Sequence, residues 1–364
     1  MNTDAKRKLV IAAGGTGGHM FPAQALGEAL MGEGWDVIMM TDARGRRHVK
    51  WLPDAKVHEV EATSISPRQP LKALRGLVIL GRGTAQAKAI LRDFRPDAVA
   101  GFGGYPAFPA LRAAKAMGIP YILHEQNTVL GRVNRLFAKG ARAVATGFDT
   151  AQRLAPGSRH VATGNPLRQQ ILDAIPDAYT PPGPGEIRLL IVGGSLGARI
   201  IAQTVPKGIA LLPQDLRHRL SVVQQTTEGE LDRARQQYEA AGVKAELATF
   251  FSDIQTHLAR AHLVIGRAGA SSVSEFAAMG VPTVLVPLAI AMDDHQTVNA
   301  STLSGPGAAI VLPESAFTPE ALARVLEERL ADDTWLESAA RAARATAKPD
   351  ATARLVELVK SLVR

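Results

Sequence analysis

The sequence predicts an α/β protein of two doubly wound domains, each a parallel sheet wrapped by helices. Three observations carry this. Short apolar runs alternate with longer amphipathic stretches, the βαβ rhythm of a parallel sheet. The rhythm occurs twice, and each series opens on a strand, a glycine-rich loop and a helix. The chain has 364 residues, more than one ordinary core accommodates.

In the first series, residues 9–13, 37–40, 98–101, 121–124 and 143–146 predict strands, and 22–32, 107–117 and 129–139 predict helices. In the second, 189–192, 221–224, 263–265 and 283–286 predict strands, and 203–212, 228–241 and 272–279 predict helices. The stretch 173–185 (DAIPDAYTPPGPG) holds four prolines and two glycines and reads as the linker. Leu355, Leu358, Val359 and Leu362 have helical spacing, so the last segment either closes the second domain or crosses back to the first. The expected domains are 1–168 with 347–364, and 169–346. In such folds ligands bind at the carboxyl ends of the strands, here facing a cleft.

Composition narrows the function classes. A chain 46% hydrophobic and 21% charged is globular in type. The absence of Cys excludes disulfides and thiolate metal sites. The first apolar run is too short for a signal-peptide core. The most apolar stretch, 281–292, is cut by Pro282 and Pro287, so no membrane span is expected. The net charge of +8 is one-sided: residues 1–150 hold 21 Lys/Arg against 12 Asp/Glu (+9), and the rest 21 against 22 (−1). A basic half points to nucleic acid or anionic lipid.

The glycine loops carry the chemistry. Gly14-Gly15-Thr16-Gly17-Gly18-His19 lets backbone N–H groups approach a phosphate or a crowded sugar, and the next helix adds unpaired N–H groups. It is neither a Walker loop nor the dinucleotide fingerprint, whose third glycine would fall on Met20. His19, at the mouth of the turn, is a candidate general base. The second loop, 193–199, matches the nucleophile elbow G-x-S-x-G, but Asp293, Asp294 and His295 are adjacent and poorly spaced for separate triad roles. A phosphate-cradling loop with Ser195 as donor is the better reading. In 266–275, Ser272 and Glu275 have capping-box spacing, so a helix beginning there aims its positive end at a diphosphate. The polar segment 294–299 also follows a buried strand.

The ordered set GGTGGH then FPA, GFGGYP (101–106), HEQN (124–127), GNPLR (164–168), GGSLGAR (193–199), GASSVSE (269–275) and HQTVNA (295–300) resembles the MurG family, glycosyltransferase family 28, over nearly the whole chain. The resemblance implies the GT-B architecture, two Rossmann-like domains around a cleft, with the last helix returning to the first domain. It implies transfer of N-acetylglucosamine from UDP-GlcNAc to the muramyl 4-hydroxyl of lipid I, giving the lipid II of peptidoglycan synthesis. Carried over position by position, Thr16, Gly17, Gly18, Asn127, Arg168, Ser195, Phe251, Ala270, Ser271, Ser272, Val273, Ser274, Glu275 and Gln296 would bind UDP-GlcNAc. Phe251 would do so through its backbone, and Glu275 by accepting from ribose hydroxyls. Gly14, Gly15, Gly103, Gly104 and Tyr105 would face the acceptor. The sequence departs from the family at Leu196 and at Gln224-Gln225-Thr226, which touches a peripheral donor contact.

The family's inverting displacement needs a base and stabilisation of departing UDP. His19 is the expected base and Glu125 its rival. No Asp-x-Asp metal site occurs in either glycine-rich turn, so helix N-termini and Arg168 are expected to supply the charge without a metal or other cofactor. The lipid acceptor implies a peripheral enzyme on the cytoplasmic face of the bacterial inner membrane, with anionic lipid rather than nucleic acid as the partner of the basic half. The stretch 71–82 mixes apolar residues with cations, and Leu77, Ile79 and Leu80 are the expected membrane contacts.

Overall fold

A computed structural model describes residues 6–15, 17–64, 70–193 and 199–363. The chain divides into two compact units, one of residues 1–168 with 348–364, the other of 169–347.

Unit 1 holds seven strands: β1 (Lys8–Ala12), β2 (Asp36–Thr41), β3 (Val57–Glu59), β4 (Ala98–Gly101), β5 (Tyr121–Glu125), β6 (Ala143–Thr146) and β7 (His160–Val161). All pairs are parallel, in the order β3-β2-β1-β4-β5-β6-β7. The strands β1, β2, β4, β5 and β6 are buried on both faces, and side-chain alternation divides them. Leu9 and Ile11 join Val37, Met39 and the helix Gly17–Gly32 in one core, whereas Val10 and Ala12 join Ile38, Met40 and the helices Pro70–Phe94 and Ala107–Ala116 in another. The final helix, Ala351–Lys360, buries Leu355, Val356, Leu358 and Val359 in the first of these cores. It therefore crosses back to unit 1.

Unit 2 holds β8 (Ile187–Val192), β9 (Leu220–Gln225), β10 (Lys244–Ala248), β11 (Leu263–Gly266), β12 (Thr283–Leu285) and β13 (Ala309–Val311), parallel in the order β10-β9-β8-β11-β12-β13. Ile187, Leu189 and Ile191 pack with Leu263, Ile265 and Val284 against Ile201, Val205 and Ile209 of the helix Arg199–Ala210.

Several expectations change. The proline-rich stretch 173–185 is not the link between the units, because the boundary falls at 168/169. That stretch is strapped onto unit 2: Arg344 donates to the carbonyls of Pro176 and Asp177 at 2.7 Å, Arg219 donates to those of Gly183 and Gly185, and Tyr179 Oη donates to the His262 carbonyl at 2.9 Å. The first helix begins at Gly17, not at Pro22; lying in the second turn, Pro22 removes a single helical bond, the one to Gly18. The helix Pro70–Phe94 absorbs Gly76, Gly81 and Gly83. A Cβ at Gly83 would lie 1.9 Å from the Glu61 carbonyl oxygen, so glycine there permits a close approach. The short strands β3, β7, β10 and β13 escape the apolar reading.

Candidate active site

In unit 1 the strand order reverses between β1 and β4, and the turns after these two strands meet at that point. A Cβ on Gly14 would lie 2.5 Å from Pro106 Cβ, and one on Gly104 would lie 3.1 Å from the Gly14 carbonyl oxygen. Gly103 and Gly104 have φ of 81° and 73°, a left-handed backbone that side chains disfavour. Tyr105 is half-buried beside them.

His19 is the third residue of the helix Gly17–Gly32 and is half-buried. A Cβ on Gly103 would stand 3.6 Å from His19 Cε1, and one on Gly104 would stand 3.5 Å from Cδ2. These carbons flank Nε2, so the glycine turn lies along the Nε2 edge of the ring at ordinary van der Waals distance. On the other side of the ring, Nδ1 lies 2.7 Å from Gln126 Oε1.

The HEQN segment at the carboxyl end of β5 splits by alternation. His124 and Gln126 contact each other, and Gln126 reaches His19. Glu125 and Asn127 pair with each other. Glu125 is 2% exposed, and four donors converge on its carboxylate. Asn127 N and Nδ2 donate to Oε1 at 3.1 and 3.2 Å, and Gly131 N and Asn134 Nδ2 donate to Oε2 at 2.8 and 2.9 Å. Both oxygens of Glu125, the expected rival of His19 as base, are engaged in holding the loop that carries Asn127. Arg168 stacks on Phe21, with Cζ 5.1 Å from the ring centroid, which steadies the guanidinium on the helix that begins beside His19.

In unit 2, β11 runs through Gly266 into the helix Ala270–Met279. This helix begins two residues before Ser272, with Gly269 as its N-cap and no side-chain cap bond or acidic residue in its first turn. Ser272 therefore lies inside the first turn, and the capping-box reading fails. The N–H groups of Ala270, Ser271 and Ser272 precede the first intrahelical bond, which runs from Val273 N to the Gly269 carbonyl at 2.9 Å. Val273 is accordingly corrected as a ligand contact: its side chain is 1% exposed and its N–H is committed. Ser274 and Glu275 are half-buried on the same helix. Gln296 Oε1 accepts from Leu288 N at 3.0 Å, so what it offers a ligand is its NH₂. The Phe251 ring is buried edge-on against His257, with centroids 5.1 Å apart, which leaves its backbone as the group to meet a base. Thr16 and Ser195 lie outside the described residues.

Sequence reasoning passed over the supports. His124, Gln126 and Asn134 brace the first site, and alternation within HEQN is the signal that separates them. Arg267 is buried and donates to the Val286 and Pro287 carbonyls at 3.0 and 3.4 Å while pairing with Glu314. Asn299 Nδ2 donates to the Ala268 carbonyl at 3.1 Å. A lone buried Arg and Asn carry no pattern readable before folding.

The stretch 71–82 lies on the helix Pro70–Phe94. Leu77 is 58% exposed, with Leu74 and Val78 at 62% and 50%. Ile79 is half-buried. Leu80 is 6% exposed and is corrected as a membrane contact, since its helix position turns it inward. The exposed stripe is 74, 77 and 78, one helical face, with Lys72, Arg75 and Arg82 exposed around it. Among the described residues no helix is long and apolar enough to cross a membrane.

Residues 9–146 match the family model described as glycosyltransferase family 28 N-terminal domain, and 188–355 match its C-terminal domain. The chain is 50% identical over 360 residues to a protein of Maricaulis maris named UDP-N-acetylglucosamine--N-acetylmuramyl-(pentapeptide) pyrophosphoryl-undecaprenol N-acetylglucosamine transferase, covering 98% of each chain. It is 44% identical to the protein of the same name from Phenylobacterium zucineum, covering 99% of each. The crystal structure of Acinetobacter baumannii MurG superposes with a TM-score of 0.79 at 32% identity, over 98% of this chain and 99% of that one. Two parallel α/β units of this topology and these matches give the GT-B fold. By its motifs, its fold and its relatives over almost its full length, this chain belongs to glycosyltransferase family 28.

Proposed function

We propose that this chain is an inverting glycosyltransferase that moves N-acetylglucosamine from UDP-GlcNAc to the muramyl 4-hydroxyl of lipid I, yielding lipid II. The observation that carries this is half-identity, end to end, with a transferase of that name. In the proposed step His19 Nε2 accepts the proton of the 4-hydroxyl. The freed oxygen bonds to the anomeric carbon from the face opposite UDP, the bond from that carbon to the UDP oxygen breaks, and UDP leaves with the electron pair. Gly14, Gly15, Gly103, Gly104 and Tyr105 are assigned to the acceptor, and the glycine turn lying beside the Nε2 edge of His19 supports the assignment.

The donor is assigned to the first-turn N–H groups of 270–272, to Ser274 and Glu275, to Gln296 and to the Phe251 backbone. Thr16, Gly17, Gly18, Asn127, Arg168 and Ser195 are assigned to it by the family motifs. We propose that no metal is needed. The uncapped helix start and the Arg168 guanidinium supply positive charge against a departing diphosphate. The chain is proposed to work peripherally at the cytoplasmic face of the inner membrane, with Leu74, Leu77 and Val78 against anionic lipid and the cations around them facing headgroups.

Transfer of radiolabelled sugar from UDP-GlcNAc to a lipid I analogue tests the reaction, and undiminished transfer in chelator tests the metal-free step. His19→Ala should lower kcat by roughly 10²–10⁴-fold with donor binding retained; near-normal turnover removes His19 from the role.

A further inference from the structure

We propose that Gln126 is a positioning residue that holds His19 in the one tautomer able to accept a proton at Nε2. The inference rests on the reading of His19 as the base and adds the device that keeps it competent.

The amide of Gln126 can be oriented from its partners alone. The side chain is buried, at 2% exposure, and its backbone carbonyl is tied by Asn165 Nδ2 at 3.0 Å. Its Nε2 lies 3.2 Å from the Phe102 carbonyl oxygen, 3.2 Å from the His124 carbonyl oxygen and 3.1 Å from His124 Nδ1. The two carbonyls can only accept, so the amide nitrogen must face them. Turning the amide over would set its oxygen against two carbonyl oxygens with no hydrogen between them. Oε1 is thereby directed at His19 Nδ1, 2.7 Å away. An amide oxygen only accepts, so Nδ1 carries the hydrogen and neutral His19 bears its lone pair on Nε2.

The next group locks the arrangement. His124 Nε2 lies 3.1 Å from the Gly164 carbonyl oxygen and must donate to it, which leaves Nδ1 as the acceptor toward Gln126. Burial pushes His124 down to about 4, so it stays neutral at physiological pH. A proton on its Nδ1 would oppose the Gln126 NH₂ and favour the overturned amide, and with it the wrong tautomer of His19. The sequence of bonds is thus Gly164 carbonyl, His124, Gln126, His19, each donor and acceptor following from the one before. Asn127, the next residue, lies outside this series of bonds and is held by Glu125 instead.

The test is a nitrogen NMR spectrum of the full chain labelled at its histidines, in mildly alkaline buffer, with the His19 signals identified by their loss in His19→Ala. His19 should show a protonated Nδ1 and a bare Nε2. In Gln126→Leu, which keeps bulk but removes the acceptor, the preference should be lost or reversed. In the same variant kcat should fall roughly 10-fold or more, within the range general base catalysis spans, while KM for UDP-GlcNAc holds. A wild-type His19 protonated at Nε2, or an unchanged His19 signature in Gln126→Leu, overturns the proposal. The wild-type spectrum involves no substrate and does not depend on the folding of Gln126→Leu. It separates failure of the tautomer assignment from failure of the base assignment, which His19→Ala turnover decides.

Discussion

Replacing Glu125 by Gln separates two roles that the sequence alone leaves equivalent. Four N–H donors, from Asn127 N, Asn127 Nδ2, Gly131 N and Asn134 Nδ2, point at the two carboxylate oxygens over 2.8–3.2 Å. An amide keeps one oxygen and turns the other into NH₂, which opposes two of those donors. Hydrogen bonds to a charged group contribute about 1.5–3 kcal/mol each, so the loss of two costs about 3–6 kcal/mol. The neutral amide is easier to bury, which offsets part of this and leaves a net destabilisation of about 2–5 kcal/mol. The assay is urea unfolding followed by tryptophan fluorescence, since Trp35 and Trp51 report on unit 1. For a unit of this size each kcal/mol moves the thermal midpoint by about 2–4 °C. Turnover should fall only as far as the Asn127 loop is loosened. Should Glu125→Gln leave stability within about 0.5 kcal/mol while kcat drops about 10²-fold or more, the carboxylate acts on substrate and the structural reasoning is wrong.

Three further outcomes are expected. His124 sits near 4 in the folded chain against 6.5 when exposed, so the unfolded chain takes up the extra proton first; about 3 kcal/mol of stability should disappear as pH falls from about 6.5 to 4 and level off below, and His124→Phe should flatten that slope in unfolding titrations. On the helix Pro70–Phe94, Leu80→Ala should cost about 2–5 kcal/mol with vesicle binding kept, whereas Leu77→Asn should leave stability within about 0.5 kcal/mol and weaken co-sedimentation with anionic vesicles; the opposite pairing would reverse the inward and outward assignment. Gly104→Ala places a Cβ at φ 73° and 3.1 Å from the Gly14 carbonyl oxygen, so it should cost about 1–3 kcal/mol and depress kcat through His19; a fully active, fully stable variant would show that the paired glycine turns have room to spare.

The amino-acid sequence by itself determined the architecture and the chemistry class. Doubly buried strands such as Leu9–Ile11 and Leu189–Ile191 are apolar whichever face they show, and helices carry their own period, so both signals are local and survive without the fold. The glycine loops and HEQN are contiguous motifs and are legible for the same reason. Only the tertiary structure decided which neighbour each polar atom meets. His19 and Gln126 are 107 residues apart, and Arg267 and Glu314 are 47 apart. A bond between such residues leaves no trace in either one's local sequence, because the chain closes the gap only through the sheet. The same holds for direction. Leu77 and Leu80 share a run and a composition, and the packing of one helix, with Gly83 against the Glu61 carbonyl, turns the first outward and the second in. Glu125 is the sharpest case: its type and position fit a base, and only four converging N–H groups make it the anchor of a loop.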